Sequence, residues 1–87
     1  MIRELAQAGA YEVTPHAQES MVRSEVSPAD LDEALAHCTR CWFQAANGRW
    51  KVTGADERGE ELYVVTEFKT LEHLLIVTTF RGDEEQR

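Results

Sequence analysis

The order of patterns along the chain predicts an α+β fold, with N-terminal helices packed on a three- to four-stranded antiparallel sheet. Two proline-led helix starts fall before residue 30, the hydrophobic period changes from about 3.6 to 2 near Cys41, and Asn47-Gly48 then separates two alternating runs. Helices gathered before strands, rather than interleaved with them, favour a meander over a parallel doubly wound sheet. With 87 residues there is room for one core, so residues 1–87 are expected to form a single domain.

Ile2, Leu5 and Ala6 sit at near-helical spacing, and Gly9 can close that first helix. Tyr11 and Val13 flank Glu12 as a short extended piece. Thr14-Pro15 reads as an N-cap followed by proline at the first helical position, where its missing N–H costs nothing. The helix it starts runs to about Ser24, with Ala17 and Met21 on one face. Ser27-Pro28-Ala29-Asp30 is the stronger start, combining a cap, a proline and an acid in the first turn. Leu31, Ala34, Leu35 and Cys38 then follow at i, i+3, i+4 and i+7.

Beyond Asn47-Gly48, Trp50 and Val52 share one strand face and Arg49, Lys51 and Thr53 the other. Asp56-Glu57-Arg58-Gly59 forms the next turn, and its acidic cluster with Glu60 and Glu61 reads as a solvated hairpin. Leu62, Val64, Thr66 and Phe68 alternate with Tyr63, Val65 and Glu67. The run Leu74–Phe80 is nearly all apolar or threonine, as in an interior strand, and Arg81-Gly82 ends it. Residues 83–87 read as a solvated, mobile tail.

Nine basic against 16 acidic residues leave a net charge of −7. Residues 1–50 hold 4 basic and 7 acidic groups, and residues 51–87 hold 5 and 9, so no basic arm hides behind the average. Tight, non-specific nucleic-acid binding, which draws on phosphate neutralisation, is disfavoured. A small basic site within an acidic shell remains compatible with the composition. No stretch approaches the roughly 18 apolar residues of a membrane helix and no charged-then-apolar leader opens the chain, so a cytoplasmic location is expected.

Three constellations bear on chemistry. Cys38-Thr39-Arg40-Cys41 lies at a helix C-terminus, where the dipole raises a thiol pKa, and two further zinc ligands are not suitably spaced among His16, His37 and His73. A packed thiol and a strand thiol are the plainer reading, so no metal or cofactor is expected. His16, in the first turn of its helix, is either a capping-region surface group or a proton shuttle and phosphate contact. Arg49 and Lys51 on one strand, Tyr63 on the next and Arg81 at the end of the last can fall on one face of a meander. Cations beside a phenol suit RNA cleavage, where they hold phosphate, stabilise its developing charge and move protons. The plainer reading is a half-solvated outer sheet face. Trp42 and Trp50 flank the hairpin and read as packing residues rather than base-stacking platforms.

The motifs Thr14-Pro15-His16-Ala17, Met21, Val26-Ser27, Asp30-Leu31, Gly48–Gly54, Gly59–Val65 and Leu75–Phe80, in this order, resemble a small bacterial family of the RelE superfamily, domain of unknown function four-two-five-eight. The resemblance spans about residues 11–82 and implies a RelE-like fold. The second half is also similar to MqsR-type messenger-RNA interferase toxins, whose active-site strands look like Trp50-Lys51, Leu62-Tyr63 and Phe80-Arg81. The resemblance implies a toxin of a type II toxin–antitoxin pair, a metal-independent endoribonuclease with Lys51, Tyr63, Arg81 and His16 in catalytic roles. Arg23 and Arg49 would then contact RNA, and a zinc-finger/helix-turn-helix antitoxin would be the cognate partner, with a homodimer also compatible. An arginine usual just before the methionine of the histidine helix and another usual before the next helix are replaced by Ser20 and Ser24, with Arg23 nearby, and a further catalytic lysine of those toxins falls near Gln44. The alternative expectation is a non-catalytic RelE-like module that binds a protein partner through an exposed strand edge.

Overall fold

Proline-led caps place the helices where the sequence starts them. In a computed structural model, which describes residues 2–82, helix α1 spans Ile2–Gln7, strand β1 Tyr11–Val13, helix α2 Pro15–Arg23 and helix α3 Pro28–Ala36. Strands β2 (Arg40–Gln44), β3 (Arg49–Ala55), β4 (Glu61–Thr70) and β5 (His73–Arg81) complete the chain. The tail expected to be mobile, residues 83–87, lies outside the described residues. Among the described residues no helix is long and apolar enough to cross a membrane.

The Thr14 side chain accepts the Ala17 N–H at 3.2 Å, and its hydroxyl donates to the Ile76 carbonyl at 2.8 Å. One residue thus caps α2 and pins it to β5. Ser27 and Asp30 form a reciprocal capping box at the start of α3. Between these helices the chain turns through a Schellman motif: Val26 N–H bonds the Met21 carbonyl at 2.8 Å and Glu25 N–H the Val22 carbonyl at 3.3 Å. Its left-handed position, normally glycine, is Glu25 with φ 55°.

The sheet differs from the expected three or four antiparallel strands. It has five, in the order β1-β5-β4-β3-β2, and β1 pairs parallel to β5 with Tyr11 beside Leu74 and Val13 beside Ile76. Parallel pairing needs a crossover connection, and here every intervening helix and strand supplies it. The Asn47-Gly48 hairpin is present with a four-residue loop between the paired Gln44 and Arg49; Gly48, at φ 69°, returns its N–H to the Gln44 carbonyl at 2.9 Å.

All three helices bury onto one face of the sheet. Ala17, Met21, Leu31, Ala34 and Leu35 join Val52, Leu62, Val64, Leu74 and Ile76 in one core, which also takes in Ile2 and Ala6 of α1. Gly54 is where α3 comes closest to β3: a Cβ there would strike the Ala34 carbonyl oxygen. Strand alternation sends Trp50, Val52 and Gly54 inward and Arg49, Lys51 and Thr53 to the opposite face.

One irregularity decides what that opposite face carries. Val65 pairs with Thr78 but Thr66 pairs with Ile76, so β5 holds one extra residue at this point. The phase of β5 is inverted beyond it: Phe80 stands beside Tyr63, and Arg81 stands beside the core residue Leu62.

Candidate functional site

The outward side chains fall into cross-strand rows. Thr53 on β3 pairs with both Arg40 and Tyr63, and Tyr63 with Phe80. In the neighbouring row Lys51 pairs with Trp42 and Val65; Val65 pairs in turn with Thr78, which sits at the extra residue of β5 and whose hydroxyl turns to Ser20 of α2. Cross-strand neighbours on one face approach within side-chain reach, which gathers two cations and three rings at the centre of the sheet.

Lys51 Nζ lies 5.1 Å from the Tyr63 ring centroid, 5.5 Å from Trp42 and 5.8 Å from Phe80. Tyr63 and Phe80 are nearly parallel, with centroids 5.2 Å apart and planes 6° apart; Trp42 and Tyr63 are 6.4 Å apart at 22°. The Arg40 guanidinium carbon sits 4.9 Å from the Trp42 centroid. Each such cation–ring contact is worth about 0.5–1 kcal/mol where water has access, so the rings hold the ammonium in place. This arrangement can receive an anion at the ammonium and flat groups at the rings, and the Tyr63 hydroxyl can exchange a proton beside them.

Of the residues the sequence singles out, Lys51 and Tyr63 are brought together and Arg81 is not. The expectation that Arg81 shares their face fails because of the extra residue in β5. Arg81 donates from Nε to the Ser24 carbonyl at 2.9 Å, from Nη1 to Asp56 Oδ2 at 2.8 Å and from Nη2 to the Glu25 carbonyl at 3.0 Å. Asp56 corrects a second expectation. Its side chain is 0% exposed rather than part of a solvated hairpin. Burial pushes its pKa up, but the Glu60 N–H, the Arg81 guanidinium and the Arg58 N–H outweigh burial and hold the carboxyl below its usual range. Asp30 belongs to the same knot, accepting the Ser27 and Glu57 N–H groups, and these bonds lower its pKa against burial.

His16 is exposed in the first turn of α2, a helix whose Ala17 and Met21 enter the core on the other side of the sheet. Arg23 reaches Ser20 Oγ at 3.4 Å, and Ser20 Oγ is 2.8 Å from Thr78 Oγ1, so this helix is tied to β5 through the buried Ser20. Arg49 is on the open face at its far end, with Nε 4.0 Å from Glu67. Gln44 shares the outward parity of Arg40 and Trp42 and pairs with Arg49.

Arg40 and Phe80 carry no site role in the sequence, and Trp42, expected to be a packing residue, instead stands on this open face beneath Arg40 and Lys51. For Arg40 and Trp42 the signal was present, since both share strand parity with Gln44 and oppose Lys51 and Thr53. Trp50, by contrast, packs against the core as expected, with Phe43 5.0 Å away at the sheet's edge.

The two thiols lie elsewhere. Cys38 and Cys41 line a groove of about 400 Å³ with Ile2, Trp50 and Phe68. Burial, and secondarily Cys38, raise the Cys41 pKa, the opposite of what an attacking thiol requires. Among the described residues no three His, Cys, Asp or Glu side chains are grouped to hold a metal ion. His73, without an evident partner in the sequence, lies 3.3 Å from Glu12, which Lys69 also approaches at 3.4 Å.

No family model, curated protein or solved structure matches this chain.

Proposed function

We propose that the protein is a RelE-like endoribonuclease of the messenger-RNA interferase kind, the toxin of a toxin–antitoxin pair, and that Lys51 and Tyr63 form its catalytic pair. The observation that carries this reading is the Lys51 ammonium set against the Tyr63 ring on the sheet face opposite the helices. In metal-independent cleavage the RNA 2′-hydroxyl gives up its proton to water and attacks the adjacent phosphorus, the bond to the 5′ oxygen breaks, and a cyclic phosphate remains. Lys51 stabilises the charge that builds on the phosphate oxygens, and the Tyr63 hydroxyl donates a proton to the departing 5′ oxygen. Arg49 contacts the RNA backbone at the rim. His16 and Arg23 lie on α2, and Arg81 supports the fold rather than the reaction.

Growth after induced expression, with sequencing of RNA 5′ ends, tests this. Wild type is compared with Lys51→Met and Tyr63→Phe, both chosen to spare the Arg81 anchor. Growth arrest and new RNA ends in wild type, reduced at least about 100-fold in each variant, are expected. Equal cleavage by all three proteins would remove the pair from the mechanism.

A second reading is favoured by the engagement of Arg81 within the fold and by the net charge of −7. In it the domain is non-catalytic and binds a protein partner along β2, whose outer edge ends the sheet and carries Phe43 at 54% exposure. Intact RNA and normal growth with folded wild-type protein would select it.

A further inference from the structure

We propose that the ligand of the open sheet face is single-stranded RNA, with two successive bases stacked on Trp42 and Phe80 and the phosphate between them on Lys51. The proposal deepens the cleavage reading and takes from it the choice of RNA.

The rings carry the argument. Trp42 and Phe80 lie on different strands, and the Lys51 ammonium is within 5.8 Å of both centroids. A cation central to two aromatic groups matches a nucleotide step, in which a phosphate joins two bases. Stacking on aromatic side chains requires bases free of their own duplex stack, which selects single strands. A duplex would present paired, stacked bases that these rings cannot reach.

Charge supports the same occupant. In a chain of net charge −7, Arg40, Lys51 and Arg49 share one face, with Glu67 beside Arg49 and Glu61 at the opposite end near Tyr63. The cation nearest the rings other than Lys51 is Arg40, over Trp42, where a guanidinium can meet the next phosphate and stack in turn. Away from this face the surface is predominantly acidic, and the exposed Arg58 and Lys69 are paired with Glu60 and Glu12, so phosphate is favoured here over the rest of the surface and binding is limited to a short segment of strand.

The test is fluorescence anisotropy with a labelled, short RNA of mixed sequence carrying 2′-O-methyl groups, which removes the nucleophile and separates binding from cleavage. The single strand is expected to bind more tightly than the same sequence as a duplex. Trp42→Ala and Phe80→Ala should each weaken single-strand binding by about 5- to 150-fold, the range for loss of one base–aromatic stack. Trp42→Phe should restore most of it. Urea midpoints confirm that each variant is folded, and Trp42→Phe keeps the test open if an alanine variant unfolds.

Equal binding of single strand and duplex, or unchanged affinity in folded Trp42→Ala, would overturn the stacking proposal. If unmodified RNA were still cut through Lys51 in that case, the cleavage reading would survive alone. Selective single-strand binding lost in the ring variants, with no cleavage of unmodified RNA, would establish the stacking and refute the cleavage. No binding to either RNA form would overturn the proposal and count against the cleavage reading as well.

Discussion

Replacing Arg81 by alanine is expected to cost the fold about 3 kcal/mol, and the structure sets that figure. Three guanidinium nitrogens are bonded, to the Ser24 carbonyl, the Glu25 carbonyl and Asp56 Oδ2, at 2.8–3.0 Å. The Arg81 side chain is 16% exposed and that of Asp56 is 0%. Removing one partner of a buried pair typically costs about 3–5 kcal/mol, because the other charge stays buried without compensation. The lower end applies here, since Asp56 Oδ1 keeps the Arg58 and Glu60 N–H groups at 2.9 Å. Against a total stability of about 5–15 kcal/mol, that loss is a large share, and it should lower the melting temperature by roughly 12–24 °C. Arg81→Lys should recover little, because one ammonium cannot span three acceptors held in a planar fork. Asp56→Asn combined with Arg81→Ala should cost less than the sum of the two single changes, because the stranded charge is gone. Urea unfolding of wild type, the three single variants and the double variant gives these differences directly. A cost below about 1 kcal/mol for Arg81→Ala would refute the reasoning, showing that water reaches Asp56 and replaces the guanidinium. The result also governs how activity data are read: an inactive Arg81→Ala protein would report a lost anchor, in folding or in the register of β5, and not a lost catalytic group.

The other predictions concern the backbone and acid. Glu25→Gly should stabilise the protein by about 0.5–1 kcal/mol, because φ 55° strains an L side chain and the Glu25 carbonyl that meets Arg81 is retained; the urea midpoint should rise. Gly54→Ala should lower stability by about 1–3 kcal/mol by pushing α3 away from β3, measured in the same way. Asp56 and Asp30 are both held below their unfolded pKa values, so their contribution is complete at neutral pH and is lost as pH falls from about 4 through the native values. Asp56→Asn should therefore be less stable than wild type at pH 7, and the gap should close on acidification. A gap that widened in acid would reverse the sign of the argument.

The helices were legible because their signals are local. Thr14-Pro15 and Ser27-Pro28 with Asp30 state where α2 and α3 begin, and both caps form with the expected partners. The inward set on β3 and β4 was equally plain from alternation, since Trp50, Val52, Leu62 and Val64 are separated by residues of different character. What stayed hidden depends on distant contacts. Tyr11–Val13 is too short to declare a strand, and its partner Leu74–Ile76 is some sixty positions away. Asp56 sits among Glu57, Glu60 and Glu61, and nothing local distinguishes the one carboxylate that is buried against Arg81. In β5 almost every residue from Leu74 to Phe80 is apolar or threonine, so alternation carries no phase. A straight reading counts from Ile76 and puts Phe80 inside and Arg81 outside.

The extra residue in β5 therefore has two consequences that cannot be separated. Without it, pairing continued from Thr66 and Ile76 would place Thr79 beside Tyr63 and turn Arg81 to the outer face. Asp56 would then be buried with only the exposed Arg58, 4.0 Å away, as a cation, and Tyr63 would lose the ring with which it is nearly parallel. With it, Arg81 enters the helix-covered side to bind Asp56 and the α2–α3 turn, and Phe80 takes the outer position within reach of Lys51. Bulges are common where a strand must re-aim a side chain. Here the stability of the buried ion pair holds the inverted phase in place, so the knot at Asp56 positions Phe80 without touching the open face. Substitutions at Arg81 or Asp56 would act on that face through the register of β5, whereas substitutions at Lys51, Trp42 or Tyr63 act on it directly.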